Sequence, residues 1–294
     1  MTDEKQKDWF LSSEIENGNP EKSLFHLIPV PYEETVSYVG GTAKGPDAII
    51  SASSQLELWD GVGNPYKAGI YTKSPVNRVD KESPSAFLNR LEGKVSDVLQ
   101  KGAVPVLIGG EHSISFAPIS ACKDHFGEIG VIQFDAHADL RKEYEGSKHS
   151  HACVMRRVVD ELKLPLFQIG LRGISQEEAE YIAFQKIPGI PAKTAVVESV
   201  LSIELPVDFP EKVFVTIDID SLDPSIMPAT GTPVPGGLGW YQILGMLQSI
   251  ADQREIIGFD IVELAPIKNL HFCEFTVAQL IYQVMGMISR KNRI

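Results

Sequence analysis

Positive charge, cysteine and long apolar runs are all scarce in this chain of 294 residues. There are 27 Lys and Arg against 39 Asp and Glu, a formal net charge of -12. Nucleic acid and anionic membrane surfaces need a basic face, so neither is expected as a partner. The three cysteines, Cys122, Cys153 and Cys273, form no CxxC pair. Their odd number disfavours a disulfide framework and points to a reducing compartment. No apolar run approaches the roughly 18–20 residues of a membrane span. The opening "MTDEKQKDWF" has no basic-then-apolar targeting layout. A soluble, cytoplasmic protein is the expectation. No repeat or low-complexity tract is visible, and nothing reads as a linker.

With 43% hydrophobic and 22% charged residues, the chain has ample material for a large core. Residues 1–22 are polar and read as a weakly structured lead-in, and 23–294 read as one domain. Short apolar runs then alternate with amphipathic stretches. Strands are expected at 24–30, 103–110, 129–135, 164–170, 212–220 and 255–264. Helices are expected at 45–58, 83–102, 151–162, 175–185, 238–252 and 276–290. Several strands are apolar throughout, as strands buried on both faces are. This alternation predicts a three-layer α/β domain built on a parallel sheet. Ligands of such sheets bind beyond the carboxyl ends of the strands.

Polar residues concentrate at those ends. "VLIGGEHSIS" delivers His112, and "VIQFDAHADLR" delivers Asp135, His137 and Asp139. "SKHSHACVMRR" carries His149 and His151 where a helix begins. "VFVTIDIDSLDP" delivers Asp218, Asp220 and Asp223, and "IIGFDIVELAP" delivers Asp260 and Glu263. If strand geometry persists, residues two apart share a face. Asp135, His137 and Asp139 would then converge, as would Asp218 and Asp220. A single DxD at a strand end is usually a solvated loop, and lone histidines such as His26 or His125 are usually structural. The joint occurrence is what matters. Four carboxylates brought together repel unless cations neutralise them. With His112 and His137 they form an oxygen-plus-imidazole donor set that suits Mn²⁺, with Co²⁺, Ni²⁺, Zn²⁺ or Fe²⁺ as alternatives.

In order and spacing, "GGEHSIS", "FDAHADLR", "SHACVMRR", "TIDIDSLDPSIMPATGTPVPGGL" and "GFDIVELAP" resemble the arginase and agmatinase family of ureohydrolases, from about residue 25 to the end. The resemblance implies an arginase-like fold with a mostly parallel sheet of about eight strands. It implies two manganese ions: one held by His112, Asp135, Asp139 and Asp218, the other by Asp135, His137, Asp218 and Asp220. Two such ions, roughly 3.5–4 Å apart, can share a water and lower its pKa enough to attack a guanidinium carbon. Glu263 would orient the planar cation, Asp139 would relay a proton, and His151 would act as the shuttle at the pocket rim. Thr232, in "ATGTPVPGGL", would line the substrate pocket. Family likeness also implies a homo-oligomer, a trimer or hexamer.

An asparagine two residues beyond the last aspartate of DxHxD belongs to the arginase substrate set; here that position is Arg141. The segment looks instead like the agmatinase branch. Hydrolysis of agmatine, a small cationic guanidino compound, to putrescine and urea is therefore the expected reaction. The alternatives are arginine, guanidinobutyrate or formiminoglutamate as substrate, a one-zinc deacetylase on a similar fold, or a non-catalytic metal-binding homologue. Arg141 either faces substrate or pairs with Glu143 or Glu145. Cys153 and the glycines Gly236 and Gly237 are assigned to packing and backbone geometry.

Overall fold

The structure, a computed structural model, describes residues 9–291. Its centre is one sheet of eight strands, all parallel. In chain order they are β1 Phe25–Val30, β2 Ile70–Thr72, β3 Val104–Gly109, β4 Gly130–Phe134, β5 Leu166–Ile169, β6 Gly189–Ile190, β7 Lys212–Asp218 and β8 Glu255–Val262. Their order across the sheet is β2-β1-β3-β8-β7-β4-β5-β6. The chain starts at β1, adds β2 outside it and β3 inside it, crosses to β4, adds β5 and β6 outward, and returns to fill the middle with β7 and β8.

The eight α-helices are α1 Gly45–Ser53, α2 Pro84–Leu99, α3 Phe116–Phe126, α4 Val154–Asp160, α5 Gln176–Gln185, α6 Ala192–Val197, α7 Trp240–Gln253 and α8 Phe272–Lys291, among the described residues. Two layers of them sandwich the sheet, which is why its strands read as apolar throughout. On one face Val106, Ile108, Ile132, Phe134, Val215 and Ile261 pack with Ile49 of α1, Leu247 of α7 and Ile281 of α8. On the other, Leu107, Val131, Phe214 and Val262 pack with Leu91 of α2, Ile119 of α3 and Met155 of α4. Local signals set the ends. Ser83 caps α2 by accepting from Ala86 N, with Pro84 in the first turn. Ser175 and Glu178 form a reciprocal capping box on α5.

The expected elements all appear, with shifted bounds. The run 45–58 stops as a helix at Ser53, and 151–162 is a 3₁₀ turn, His151–Cys153, leading into α4. Two strands, β2 and β6, and two α-helices, α3 and α6, were not expected. The lead-in expected at 1–22 also differs. Residues 1–8 lie outside the described residues, but Phe10 and Leu11 are buried. The Phe10 N–H donates to Thr72 Oγ1 at 3.1 Å and the Leu11 N–H to Ser53 Oγ at 2.9 Å. Two large apolar side chains were enough to fold this stretch onto β2 and α1, despite its polar surroundings. Among the described residues no helix is long and apolar enough to cross a membrane.

Candidate metal and catalytic site

The four strands that end in polar motifs, β3, β8, β7 and β4, are neighbours at the middle of the sheet. Their carboxyl ends therefore open on one place, where the strand order reverses. Gly110 makes the first turn possible. A Cβ there would lie 1.9 Å from Tyr32 O, so only glycine lets β3 turn so close beneath that backbone.

The carboxylates converge, though not by persistence of the strand. β4 stops at Phe134, one residue before Asp135. Asp135 Oδ1 then accepts the His137 N–H at 2.6 Å, a turn closed by the aspartate's own side chain. Asp218 does the same at the end of β7, with Oδ1 accepting the Asp220 N–H at 2.8 Å, and a 3₁₀ turn follows. Asp220 Oδ1 in turn accepts the Ala136 N–H at 2.9 Å, locking the two motifs together. Asp139 and Glu263 both take left-handed backbone, at φ 53° and 67°. Such strain costs of order 1 kcal/mol or more per residue and collects at functional sites.

Two triads of donor atoms result, His112 with Asp135 and Asp139, and Asp135 with His137 and Asp220. His112 Nδ1 lies 3.1 Å from Asp135 Oδ2, 3.0 Å from Asp139 Oδ2 and 3.6 Å from Asp218 Oδ2. His137 Nδ1 lies 2.9 Å from Asp220 Oδ2 and 3.7 Å from Asp135 Oδ1. Asp135 thus turns one oxygen to each group. Asp218 belongs to neither triad but sits against the first. Buried His112 Nδ1 has no hydrogen-bond partner despite these distances.

Charge tells the same story. Burial works to lower the His112 pKa, yet the Asp135 and Asp139 carboxylates raise it well above the ordinary value. Burial works against the His137 cation too, but Asp135 and Asp220 push its pKa up to about 11. Asp218 is raised by burial and by the neighbouring carboxylates of Asp220 and Asp135. Four aspartates and Glu263 face only two imidazoles as internal countercharge. An orphaned buried nitrogen and surplus carboxylate oxygens make a donor set that fits divalent cations.

Above this cluster opens a cleft of about 800 Å³, including space open to solvent. His137, Asp139, His151, Asp218, Thr232 and Glu263 line it, while His112, Asp135 and Asp220 lie beneath. Glu263 is held by two contacts. Its N–H donates to Gly110 O at 2.8 Å, and its Oε1 accepts the His112 N–H at 2.6 Å. Burial holds its carboxyl well above the ordinary range, against the pull of that N–H. His151 Nδ1 lies 3.2 Å from Thr35 Oγ1. Arg141 lines the cleft with its guanidinium 5.0 Å from the Tyr144 ring centre, an aromatic partner and not the acid pair expected as one option. His149 does not line the cleft.

Two aspartates delivered by the motifs lie elsewhere. Asp223 accepts the N–H groups of Ser225, Gly236 and Gly237, so it shapes the Pro- and Gly-rich loop. Asp260 is buried one layer below, where Thr216 Oγ1 donates to its Oδ1 at 2.6 Å and burial pushes its carboxyl up to about 6. Cys153 is buried and free, as packing requires. Sequence reasoning missed Thr35, Glu111, Gln133 and Thr216. The last two left a signal, since each is a polar residue interrupting an apolar strand.

The arginase family model matches residues 23–286. The chain belongs to the arginase family. It is 38% identical to the N(1)-aminopropylagmatine ureohydrolase of Synechocystis sp., over 97% of this chain and 95% of that one. It is 29% identical to the agmatinase of Pyrococcus horikoshii, over 90% and 92%. The crystal structure of agmatine ureohydrolase of Thermoplasma volcanium superposes with a TM-score of 0.82 at 26% identity, covering 97% of this chain and 96% of that one. The eight-stranded parallel sheet is the arginase-like fold, and the chain is a metal-dependent ureohydrolase acting on a guanidino group.

Proposed function

We propose that this enzyme releases urea from an agmatine-type guanidino amine, N1-aminopropylagmatine before agmatine itself. The single observation carrying the choice of tail is the 38% identity to a relative named for that activity. Agmatine, the expectation from sequence, is the second reading, supported by relatives named agmatinase. The acids that face the cleft are Asp139, Glu178, Asp218 and Glu263, and the one arginine is Arg141. With Asp139 and Asp218 given to the ions and Glu263 to the guanidinium, lining charge does not choose the tail, so the choice rests on the relatives.

Two Mn²⁺ ions fit the donor set best, with Ni²⁺, Co²⁺ or Zn²⁺ as other occupants. One would be held by His112, Asp135, Asp139 and Asp218, the other by Asp135, His137, Asp218 and Asp220. When bound, they supply positive charge and an activated water nucleophile. The chain's residues do the rest. Glu263 pairs with the guanidinium and turns its carbon toward the cluster, because a planar cation is best oriented by a carboxylate. Asp139 accepts a proton at the floor of the cleft. His151, at the rim, protonates the departing amine, which leaves poorly as an anion. Thr232 lines the wall beside the substrate.

We further propose that residues 23–294 act as one ureohydrolase domain, cytoplasmic and assembled as a homo-oligomer. Three free, buried cysteines suit a reducing compartment. The test is urea release across N1-aminopropylagmatine, agmatine, arginine and guanidinobutyrate, with metal-stripped protein refilled by each ion in turn. Arginine or guanidinobutyrate as the preferred substrate, or turnover without added metal, overturns the reading.

A further inference from the structure

We propose that Thr35 and Glu111 are positioning residues that fix the tautomer of His151, placing the ring proton on Nδ1 and leaving Nε2 for the cleft. The role of that nitrogen rests on the ureohydrolase reading above; the tautomer itself rests on hydrogen-bond geometry alone.

Glu111 is fully buried beside His112. Its Oε2 accepts the N–H groups of Glu34 and Thr35, both at 2.6 Å. Its Oε1 accepts the hydroxyls of Thr35 at 2.8 Å and Ser113 at 2.5 Å. Four donors thus converge on its two oxygens, and the Thr35 hydroxyl is one of them. Thr35 has one hydroxyl proton and two lone pairs. The proton goes to Glu111. One lone pair accepts the His151 backbone N–H at 3.0 Å. The other faces His151 Nδ1 at 3.2 Å, and that contact is a hydrogen bond only if Nδ1 carries the proton. Ser150 Oγ, at 3.5 Å from Nδ1, is too far to compete.

A free histidine side chain prefers the proton on Nε2, so the protein imposes this choice. Nε2 has no hydrogen-bond partner among the described residues, and His151 lines the cleft. The neutral ring can therefore take a proton at Nε2, becoming imidazolium, and return it from the same atom to the departing amine. The Nδ1–H bond is not broken at any point. Glu111 anchors Thr35 by two bonds, so the ring is held to the same backbone that presents His112.

The experiment uses full-length protein loaded with zinc, which is diamagnetic, with ¹⁵N in the histidine rings. His151→Gln assigns the signals of His151. The expected wild-type pattern is a protonated Nδ1 and an unprotonated Nε2. In Thr35→Val the ring should shift to the Nε2-protonated form and kcat should fall about tenfold or more, with KM and metal content unchanged. Its pH–rate profile should move as well, and Thr35→Ser should restore tautomer, rate and profile together. A wild-type ring protonated at Nε2, or an unchanged tautomer in Thr35→Val, overturns the proposal. If Thr35→Val does not fold, the wild-type spectrum decides alone. Absence of urea release from every guanidino amine would sink the proposed activity and leave the ring spectrum to judge the relay.

Discussion

Replacing Glu263 by glutamine should make the metal-free protein more stable while removing most of its activity. Glu263 Oε1 accepts the His112 N–H at 2.6 Å, and a glutamine oxygen keeps that bond. Glu263 is in neither donor triad and is not one of the six proposed ligands, so both ions should still bind. What is lost is the charge offered to the guanidinium. A hydrogen bond to a charged group contributes about 1.5–3 kcal/mol. Spent entirely in the transition state, that is about one to two orders of magnitude in rate. The stability effect has the opposite sign. Burial raises the folded-state pKa of Glu263, so its contribution to stability is present at low pH and is lost as pH rises through that value. Below about pH 4, where the unfolded carboxyl is also protonated, wild type and variant should be alike. At pH 8 the variant should be the more stable of the two, because the wild-type carboxyl must there keep its proton or ionise in a buried place. Calorimetry on metal-free protein from pH 4 to pH 8 reads the stability, and urea release on refilled protein reads the rate. Wild-type turnover with both ions bound, or a variant less stable than wild type at pH 8, would refute the reasoning.

His151→Ala should keep both ions and slow turnover by about 10²-fold, whereas His149→Ala, outside the cleft, should be mild; the reverse order in a urea assay removes the assignment. His112→Ala should weaken metal binding, read by titration calorimetry, and recover part of its activity in excess Mn²⁺. Gln133 Nε2 donates to Asp135 Oδ2 at 2.7 Å, so Gln133→Leu should fold but lose about 10- to 100-fold in metal affinity; equal affinity would dismiss the support role. Phe10→Ala should cost about 3–5 kcal/mol by denaturant unfolding, and a neutral result would return residues 9–22 to a loose lead-in.

The central strands were legible because each is apolar throughout and breaks abruptly into a motif. The expected strand 212–220 and the observed β7, Lys212–Asp218, differ only where the turn begins. β2 and β6 were not legible for a physical reason. They are edge strands of three and two residues, stabilised by pairing with β1 and β5 and too short to show a period. α3 was hidden by Pro118, which sits in its first turn and removes no hydrogen bond there. The donor residues could be named from spacing, but their convergence could not be derived from it. Alternation along a strand was the expected cause, and side-chain-closed turns at Asp135 and Asp218 are the observed one. Thr35 could not have been found, since its meaning comes only from a contact 116 residues away.

The second layer shows why the site needs a sheet. Gln133 and Thr216 stand two residues before Asp135 and Asp218, and are paired in register across β4 and β7. Gln168 extends the row on β5 and Asp260 extends it on β8. All four are buried, where unpaired polar groups would each cost about 1–3 kcal/mol. Most of their polar atoms pair with one another and with the donors above, leaving Gln168 Oε1 and Asp260 Oδ2 without a partner. Gln168 donates to Gln133 at 2.6 Å, Gln133 to Asp135 at 2.7 Å, and Thr216 Oγ1 meets His112 Nε2 at 2.9 Å while bonding Asp260. An apolar row would suit the core as well or better. A polar row in this register fixes which oxygen of Asp135 and which nitrogen of His112 face the cluster, an orientation that flexible loops alone would leave free. The parallel sheet supplies that register because its central strands end side by side.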